Sequence, residues 1–242
     1  MTDAATGKAF LTAQWRDLAM LNYEVDPALL QRFVPFGTEL DSWNGHTFLS
    51  LVAFRFLHTR VSGISFPFHS NFEEVNLRLY VRRIDGALTK RGVVFIREIV
   101  PRWAIATLAR VLYNENYVSL PMSHQISRRD AGLAVGYQWK TGNRWNRIDL
   151  TAKGAPAIPA PESAEQFITE HYWGYSRQLD GGCTEYQVAH PPWRVWRTPD
   201  ASFEGDMDEL YGEDLSAVLK QPPVSAFLAE GSEVTVYKGR RL

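Results

Sequence analysis

The segment FEEVNLRLYVRR, residues 72–83, has the alternating pattern of a β-strand. Its apolar side chains share one face of that strand: Val75, Leu77, Leu79 and Val81. Its polar side chains share the other face: Asn76, Arg78, Tyr80 and Arg82. Such a polar face usually meets solvent, whereas in a sheet that closes on itself it can line a cavity. The segment therefore predicts a sheet with one buried face and leaves the surroundings of the other open.

Strands dominate the rest of the chain. We predict them at residues 15–25, 40–43, 46–58, 91–100, 122–129, 133–141, 171–179, 183–189 and 234–238. Turn sequences, such as Asn44-Gly45, separate several of them and favour hairpins. Short helices are predicted at residues 27–33, 101–113 and 163–170, where Asp26 and Ser163 serve as N-caps of the first and third. The fold class that follows is α+β, with a mostly antiparallel, barrel-like β core and a few short helices.

The length of 242 residues suits one large β domain. We expect residues 1–14 to form a flexible N-terminus and residues 15–242 to form a single domain. The Ala/Pro-rich stretch at residues 151–163 offers an alternative boundary between two domains. Neither side of it carries a self-sufficient pattern, so one domain is the preferred interpretation.

Charge and cysteine content point to a cytoplasmic protein. The formal net charge is -1, so no basic field draws the chain to nucleic acid or anionic membranes. No apolar run approaches the roughly 20 residues that span a bilayer, and the N-terminus lacks the pattern of a signal peptide. The single cysteine, Cys183, suits a reducing compartment. A homo-oligomer is compatible with the sequence.

Several families of site are excluded by their missing motifs. There is no His-Glu-x-x-His pair, no G-x-S-x-G elbow, no phosphate loop and no G-x-G-x-x-G turn. We therefore expect no metal site and no cofactor. The hydrolase, kinase and dinucleotide-enzyme classes lose most of their support.

Glu98 is the first candidate for chemistry. In the strand at residues 91–100, simple alternation places it on one face with Val94, Ile96 and Val100. A buried carboxylate costs several kcal/mol unless it is paired or takes up a proton. The alternative is a strand-end carboxylate that reaches solvent beside Pro101. Arg78, on the polar face of the neighbouring strand, is a possible partner.

Five segments together resemble one family. They are WRDLAMLNYEVDPALLQRFVP, FEEVNLRLYVRR, RGVVFIREIVPRWAIATLARVLYNENYVSLPM, HPPW and SAFLAEGSEVTVYKG. They are similar, from about Trp15 to Lys238, to the YqjF-like bacterial proteins of unknown function. The resemblance implies a fold related to acetoacetate decarboxylase, with a barrel-like core around a small cavity, and it implies no activity.

The decarboxylase chemistry needs a lysine that forms a Schiff base, and this chain lacks one at the matching place. Tyr117 and Val118 stand there, and no lysine occurs between Lys90 and Lys140. Because a phenol forms no imine, decarboxylation by that route is not expected. Whether the protein is an enzyme stays open.

Five residues of the implied cavity are candidates for a site: Arg78, Glu98, Arg110, Asn116 and Tyr117. We predict Glu98 and Tyr117 as catalytic candidates, since a carboxyl or phenol group can act as general acid or base. Arg78, Arg110 and Asn116 are predicted to bind the ligand, since a guanidinium fork binds carboxylate. In the alternative interpretation Arg110 caps a helix and Asn116 shapes a turn.

Two function classes remain. The first is a cavity protein that binds a small organic acid or apolar metabolite without Schiff-base chemistry. The second is a structural or protein-interaction module whose interior is filled by its own side chains. A pocket of roughly 300 Å³ or more that Arg78, Glu98 or Tyr117 faces would favour the first.

Overall fold

A computed structural model describes residues 7–101, 116–129, 132–198 and 200–242. The strands are β1 (Ala9–Glu24), β2 (Glu39–Leu40), β3 (Phe48–Val61), β4 (Phe72–Asp85), β5 (Leu88–Val100), β6 (Tyr117–Ser119), β7 (Met122–Arg129), β8 (Gly132–Thr141), β9 (Arg144–Lys153), β10 (Trp173–Arg177), β11 (Cys183–Ala189), β12 (Val195–Arg197), β13 (Asp200–Glu204), β14 (Ser225–Tyr237) and β15 (Arg240–Arg241). The helices are α1 (Pro27–Leu30), which a 3-10 turn continues through Gln31–Phe33, α2 (Ala164–Thr169), α3 (Asp208–Tyr211) and α4 (Glu213–Leu219). The helix predicted at residues 101–113 lies, apart from Pro101, outside the described residues.

Eleven strands form the main sheet, with the order β12-β14-β1-β3-β4-β5-β10-β11-β15. β2 pairs with β4, and β6 pairs in parallel with β5. The sheet returns on itself where Val188 and Ala189 of β11 pair with β14. The junction between β5 and β10 is equally short and is parallel. The α+β, mostly antiparallel class is thus confirmed, whereas the predicted barrel is confirmed only in part because it closes unevenly.

A second sheet, with the order β13-β9-β8-β7, covers one face of the main sheet. Leu51 and Leu77 of the main sheet share an apolar cluster with Tyr137 and Trp139 of the second. The opposite face of the main sheet builds a separate cluster, to which Phe54 contributes. Both faces of β4 are therefore buried over most of its length, because the second sheet covers one and the curled main sheet encloses the other.

The predicted caps and turn are present. Asp26 accepts a hydrogen bond from the backbone N–H of Ala28, and Ser163 caps α2. Asn44 and Gly45 have φ values of 51° and 85°, as a tight hairpin turn requires. The turn closes only one isolated β-bridge, between Trp43 and His46. The predicted hairpin does not form, because β2 pairs with β4 and not with β3.

Two predicted boundaries need correction: the start of the first strand and the start of the Ala/Pro-rich stretch. β1 begins at Ala9 and not at Trp15, and residues 9–14 pair with β14 and β3. The expectation of a flexible N-terminus through residue 14 is therefore wrong for this part. β9 was not predicted, and it extends to Lys153, into the stretch that was interpreted as a linker.

None of the described helices has the length and hydropathy that a membrane span needs. The cytoplasmic location stays a prediction, and so does the single domain.

Candidate ligand-binding site

The inner face of the main sheet surrounds a cavity of about 400 Å³. Much of its wall is aromatic: Trp15, Phe54, Phe56, Phe72, Phe95, Tyr117, Trp173, Tyr186 and Trp193. Phe56 and Phe72 face each other on adjacent strands and stack at 4.7 Å between ring centroids. The strands position these rings because every second side chain points inward.

A smaller part of the wall is polar, and three strands supply it. The side chains are Glu74, Asn76 and Arg78 from β4, Glu98 from β5 and Tyr117 from β6. Glu98 lies directly opposite Asn76, and Tyr117 lies beside Glu98. The pairing of three neighbouring strands therefore brings these polar groups to one place.

A β-bulge decides which way Glu98 points. Leu77 pairs with Arg97 and Arg78 pairs with Phe95, so Ile96 is an extra residue in β5. The bulge reverses the alternation after it. Glu98 therefore shares the cavity face with Phe95, and the prediction that it shares a face with Ile96 is wrong.

Glu74, Tyr117 and Glu98 form a connected group. The Tyr117 hydroxyl donates to Oε2 of Glu74 at 3.1 Å, and it is also hydrogen-bonded to Glu98. The amide of Asn76 donates to Oε1 of Glu74 at 3.0 Å. The contact with Glu98 raises the pKa of Tyr117, so the phenol is the donor in this contact too. The single O–H of Tyr117 therefore lies between two carboxyl groups.

Burial is the largest influence on the pKa values of this group. Burial raises the pKa of Glu74 to about 7, against the hydrogen bonds from Asn76 and Tyr117 and the charge of Arg78. Burial and the nearby carboxyl groups of Glu74 and Glu98 raise the pKa of Tyr117 well above its ordinary value. Near neutral pH the group is therefore less negative than two glutamates in water.

Arg78 is the arginine among the described residues of the cavity wall, and its side chain makes few hydrogen bonds. It is 8% exposed, its Nη2 donates to the carbonyl oxygen of Ile168 at 3.3 Å, and its guanidinium lies 5.5 Å from the ring centroid of Tyr80. Within the described ranges its Nε has no hydrogen-bond partner, and no carboxylate forms an ion pair with it. A guanidinium has five N–H donors, and the contacts to the described residues engage one of them, on Nη2.

Three histidines also line the cavity: His69, His171 and His190. His171 contacts Asp41 through Nε2 at 3.2 Å, and His190 stacks on Trp193 at 4.2 Å. Burial lowers the pKa of His171 to about 4, although Asp41 acts in the opposite direction, and burial lowers that of His190 to about 4. The rings of His171 and His190 are thus neutral at physiological pH and add no positive charge beside Arg78.

The structure brings three of the five predicted residues together: Arg78, Glu98 and Tyr117. Arg110 lies outside the described residues. Asn116 is exposed and absent from the cavity wall, and its amide donates to the carbonyl oxygen of Ile96 at 2.9 Å. That contact fits the alternative interpretation, in which Asn116 shapes the chain.

Sequence reasoning missed Glu74, His171 and His190. Glu74 continues the alternation of Asn76 and Arg78 by two residues, so the pattern that exposed the polar face of β4 also contained it. The histidines had no comparable signal, since they lie in separate elements far along the chain.

No lysine reaches the cavity wall. All six lysines of the sequence belong to the described ranges, and none lines the cavity. Lys90 is buried, but its ammonium group pairs with Asp85 at 2.6 Å and with Glu185 at 3.1 Å. The lysine that a Schiff base requires is therefore missing from the cavity wall.

A family model described as an uncharacterized conserved protein, DUF2071, matches residues 12–233. The chain belongs to this family. Protein YqjF of Bacillus subtilis (strain 168), described as uncharacterized, is 26% identical over 183 residues, which are 74% of this chain and 72% of YqjF. The resemblance to YqjF-like proteins is confirmed.

Solved structures with the acetoacetate decarboxylase fold are similar to this chain over most of their length. The acetoacetate decarboxylase of Legionella pneumophila has a TM-score of 0.69 at 15% identity, covering 100% of this chain and 92% of that one. The enduracididine biosynthesis enzyme MppR, complexed with pyruvate, has a TM-score of 0.67 at 12% identity, covering 99% and 92%. At such identities the likeness shows the fold alone.

Proposed function

We propose that the cavity binds a small carboxylic acid with an apolar tail, without Schiff-base chemistry. The observation that carries this proposal is Arg78, a guanidinium more than nine-tenths buried that lacks an ion pair among the described residues. A buried charge is costly unless an opposite charge and hydrogen bonds compensate it. A carboxylate supplies both, because its two oxygens match the fork of a guanidinium.

The remaining wall sets the rest of the ligand. Aromatic side chains such as Phe54, Phe56 and Phe72 favour an apolar tail, and 400 Å³ lies within the range of small-molecule pockets. Because burial raises the pKa of Glu74 to about 7, the wall is less negative and repels an incoming anion less. The alternative, an interaction module with a filled interior, is opposed by the cavity itself.

A thermal-shift titration tests the proposal. Pyruvate, 2-oxobutanoate, 4-methyl-2-oxopentanoate and 4-methylpentanoate serve as acids, and 4-methylpentan-1-ol serves as the uncharged control. MppR, whose complex with pyruvate is described, motivates the 2-oxo acids. A ligand that binds the folded state raises stability by RT ln(1 + [L]/Kd), so the acids should raise Tm with dose while the alcohol should not.

Two variants assign the effect to one guanidinium. Arg78→Met removes the charge at similar length, and we expect it to weaken acid binding about 10- to 100-fold, as loss of charged hydrogen bonds does. Arg82→Met is the matched control, because Arg82 lies on the same strand but is exposed and pairs with Glu39. Acid binding that Arg78→Met leaves unchanged, or the absence of any acid-dependent shift, would refute the proposal.

A further inference from the structure

The group formed by Glu74, Tyr117 and Glu98 is more elaborate than ligand binding requires. Glu74 and Glu98 are 2% and 3% exposed, and both side chains line the cavity. Burying carboxyl groups in this way lowers stability, and such a cost is commonly found where a group exchanges protons with a substrate.

The hydrogen bonds give each member of the group a direction. Glu74 accepts from both Asn76 and Tyr117, so its ionised form is the one these bonds stabilise. The Tyr117 hydroxyl is the donor toward Glu74 and toward Glu98. The result is a base beside a phenol that can donate a hydrogen bond.

The group lies where it can reach a molecule held by Arg78. Arg78, Asn76 and Glu74 occupy alternate positions of β4, and Glu98 lies opposite the middle one. Alternate residues of a strand are about 7 Å apart, so Glu74 lies about 14 Å along β4 from Arg78. The charge of Arg78 nevertheless acts on the Glu74 carboxyl, so a molecule held at Arg78 lies in the same part of the cavity as Glu74.

We propose that Glu74, assisted by the hydroxyl of Tyr117, transfers a proton at the carbon next to the carbonyl group of a 2-oxo acid bound at Arg78. This inference rests on the proposed function. A hydrogen next to a carbonyl is the class of C–H bond that a carboxylate can ionise, because the electron pair moves onto the carbonyl oxygen. The 2-oxo acid combines that carbonyl with the carboxylate that Arg78 binds.

The step needs no other reactant. The carboxylate of Glu74 takes a proton from C3, the C–H electron pair becomes the C2=C3 bond, and the carbonyl π pair moves to the oxygen. The Tyr117 hydroxyl donates a hydrogen bond to that oxygen, which leaves the enolate and protonated Glu74. The reverse sequence restores the 2-oxo acid, after Glu74 has exchanged its proton with solvent. Raising the pKa of Glu74 to about 7 matches the base to neutral pH.

Exchange with heavy water tests this inference. 4-Methyl-2-oxopentanoate is incubated with the protein in D₂O, and the C3 hydrogens are followed by proton NMR. We expect exchange faster than in buffer, with one of the two C3 hydrogens replaced first because the base lies on one side. The rate should rise with pH through an apparent pKa near 7.

Variants separate the base from the fold. Glu74→Gln should slow exchange at least about 100-fold, and Tyr117→Phe should slow it as well, since acid–base groups supply about 10² to 10⁴ in rate. Both should still bind the acid in the thermal-shift assay, because Arg78 is intact. Glu73→Gln is the matched control, because its carboxylate contacts His124 instead of the cavity and exchange should stay at the wild-type rate.

The outcomes distinguish the two proposals. Binding to the wild type without accelerated exchange would overturn this inference and leave the proposed function standing. Exchange of equal rate in Glu74→Gln would also overturn it. If no 2-oxo acid binds, the proposed function fails and this inference fails with it. If Glu74→Gln does not fold, the pH profile of the wild type and the Tyr117→Phe rate still decide.

Discussion

Glu74 lies 3.1 Å from the hydroxyl of Tyr117 at the end of a mainly apolar cavity. Compared with water, this environment favours the protonated form of the carboxyl group, since burial raises the pKa of Glu74 from 4.5 to about 7. The folded protein consequently binds this proton more tightly than the unfolded chain does. Its contribution to stability is complete below pH 4.5 and is lost as the pH rises to 7.

The first prediction concerns that loss. Between pH 4.5 and 7 the Glu74 carboxyl should remove about 3 kcal/mol from the free energy of unfolding, at about 1.4 kcal/mol for each unit. In Glu74→Gln this component is absent, so the variant should gain stability relative to the wild type as the pH rises. Urea unfolding at pH 5 and pH 8 measures it. A difference between the two proteins that does not change with pH would contradict the prediction.

His171 should act in the opposite direction. Its folded pKa of about 4 lies below the 6.5 of an ordinary histidine, because the ring is buried. As the pH falls from 6.5 to 4 the unfolded chain takes up a proton that the folded protein does not, which lowers stability by about 3 kcal/mol. Above pH 6.5 the contribution is complete.

Two measurements check this second prediction. The His171 ring should titrate near pH 4 by NMR, and the acid-side loss of stability should be smaller in His171→Gln. His46→Gln is the control, since His46 is half exposed and pairs with Glu24. Titration of His171 near 6.5 in the folded protein would show that the ring is not as enclosed as the structure has it.

The sequence predicted the strand β4 and its polar face well, because alternation is a local property. It did not predict that this face encloses a cavity. That outcome depends on β7, β8 and β9, which cover the opposite face and lie far along the chain. The orientation of Glu98 was also missed, since the bulge at Ile96 is fixed by pairing with β4 and leaves no mark in the alternation. Local patterns thus located Arg78 and Glu98, and the family resemblance located Tyr117, while their common cavity needed tertiary structure.

Asp17 connects the two sheets and yields a third prediction. Its completely buried carboxylate pairs with Arg55 of β3 and Arg128 of β7, while its carbonyl oxygen accepts from Tyr137 at 2.9 Å. Asp17→Asn keeps the shape and tolerates the left-handed φ of 56°. It removes the charge, however, and should cost about 2 kcal/mol, as loss of hydrogen bonds between charged groups does when one partner is partly exposed.

An exposed pair in the second sheet provides the control for Asp17. Asp149 pairs with Arg147, and both side chains are more than a third exposed. Asp149→Asn should therefore change the free energy of urea unfolding by less than about 1 kcal/mol. Equal effects of the two substitutions would remove Asp17 from its role between the sheets.

The last prediction concerns Gly231, which pairs with Arg16 where β14 meets β1. A Cβ atom at this glycine would lie 2.0 Å from the carbonyl oxygen of Trp15, which is backbone and cannot turn aside. The φ of 73° adds the strain of the left-handed region. Gly86 has a similar φ of 63° in the turn between β4 and β5, but a Cβ there meets nothing within 4 Å. Gly86→Ala should thus cost about 1 to 2 kcal/mol, the price of the backbone conformation alone.

Gly231→Ala should cost at least twice as much as Gly86→Ala, because the two strands must also separate. Chemical denaturation of both variants gives the comparison, and the difference between them isolates the steric part. Since Trp15 lines the cavity, the strand shift in Gly231→Ala should also weaken acid binding, which Gly86→Ala should leave intact. Equal destabilisation by the two substitutions would mean that β1 and β14 are not packed as closely as Gly231 requires.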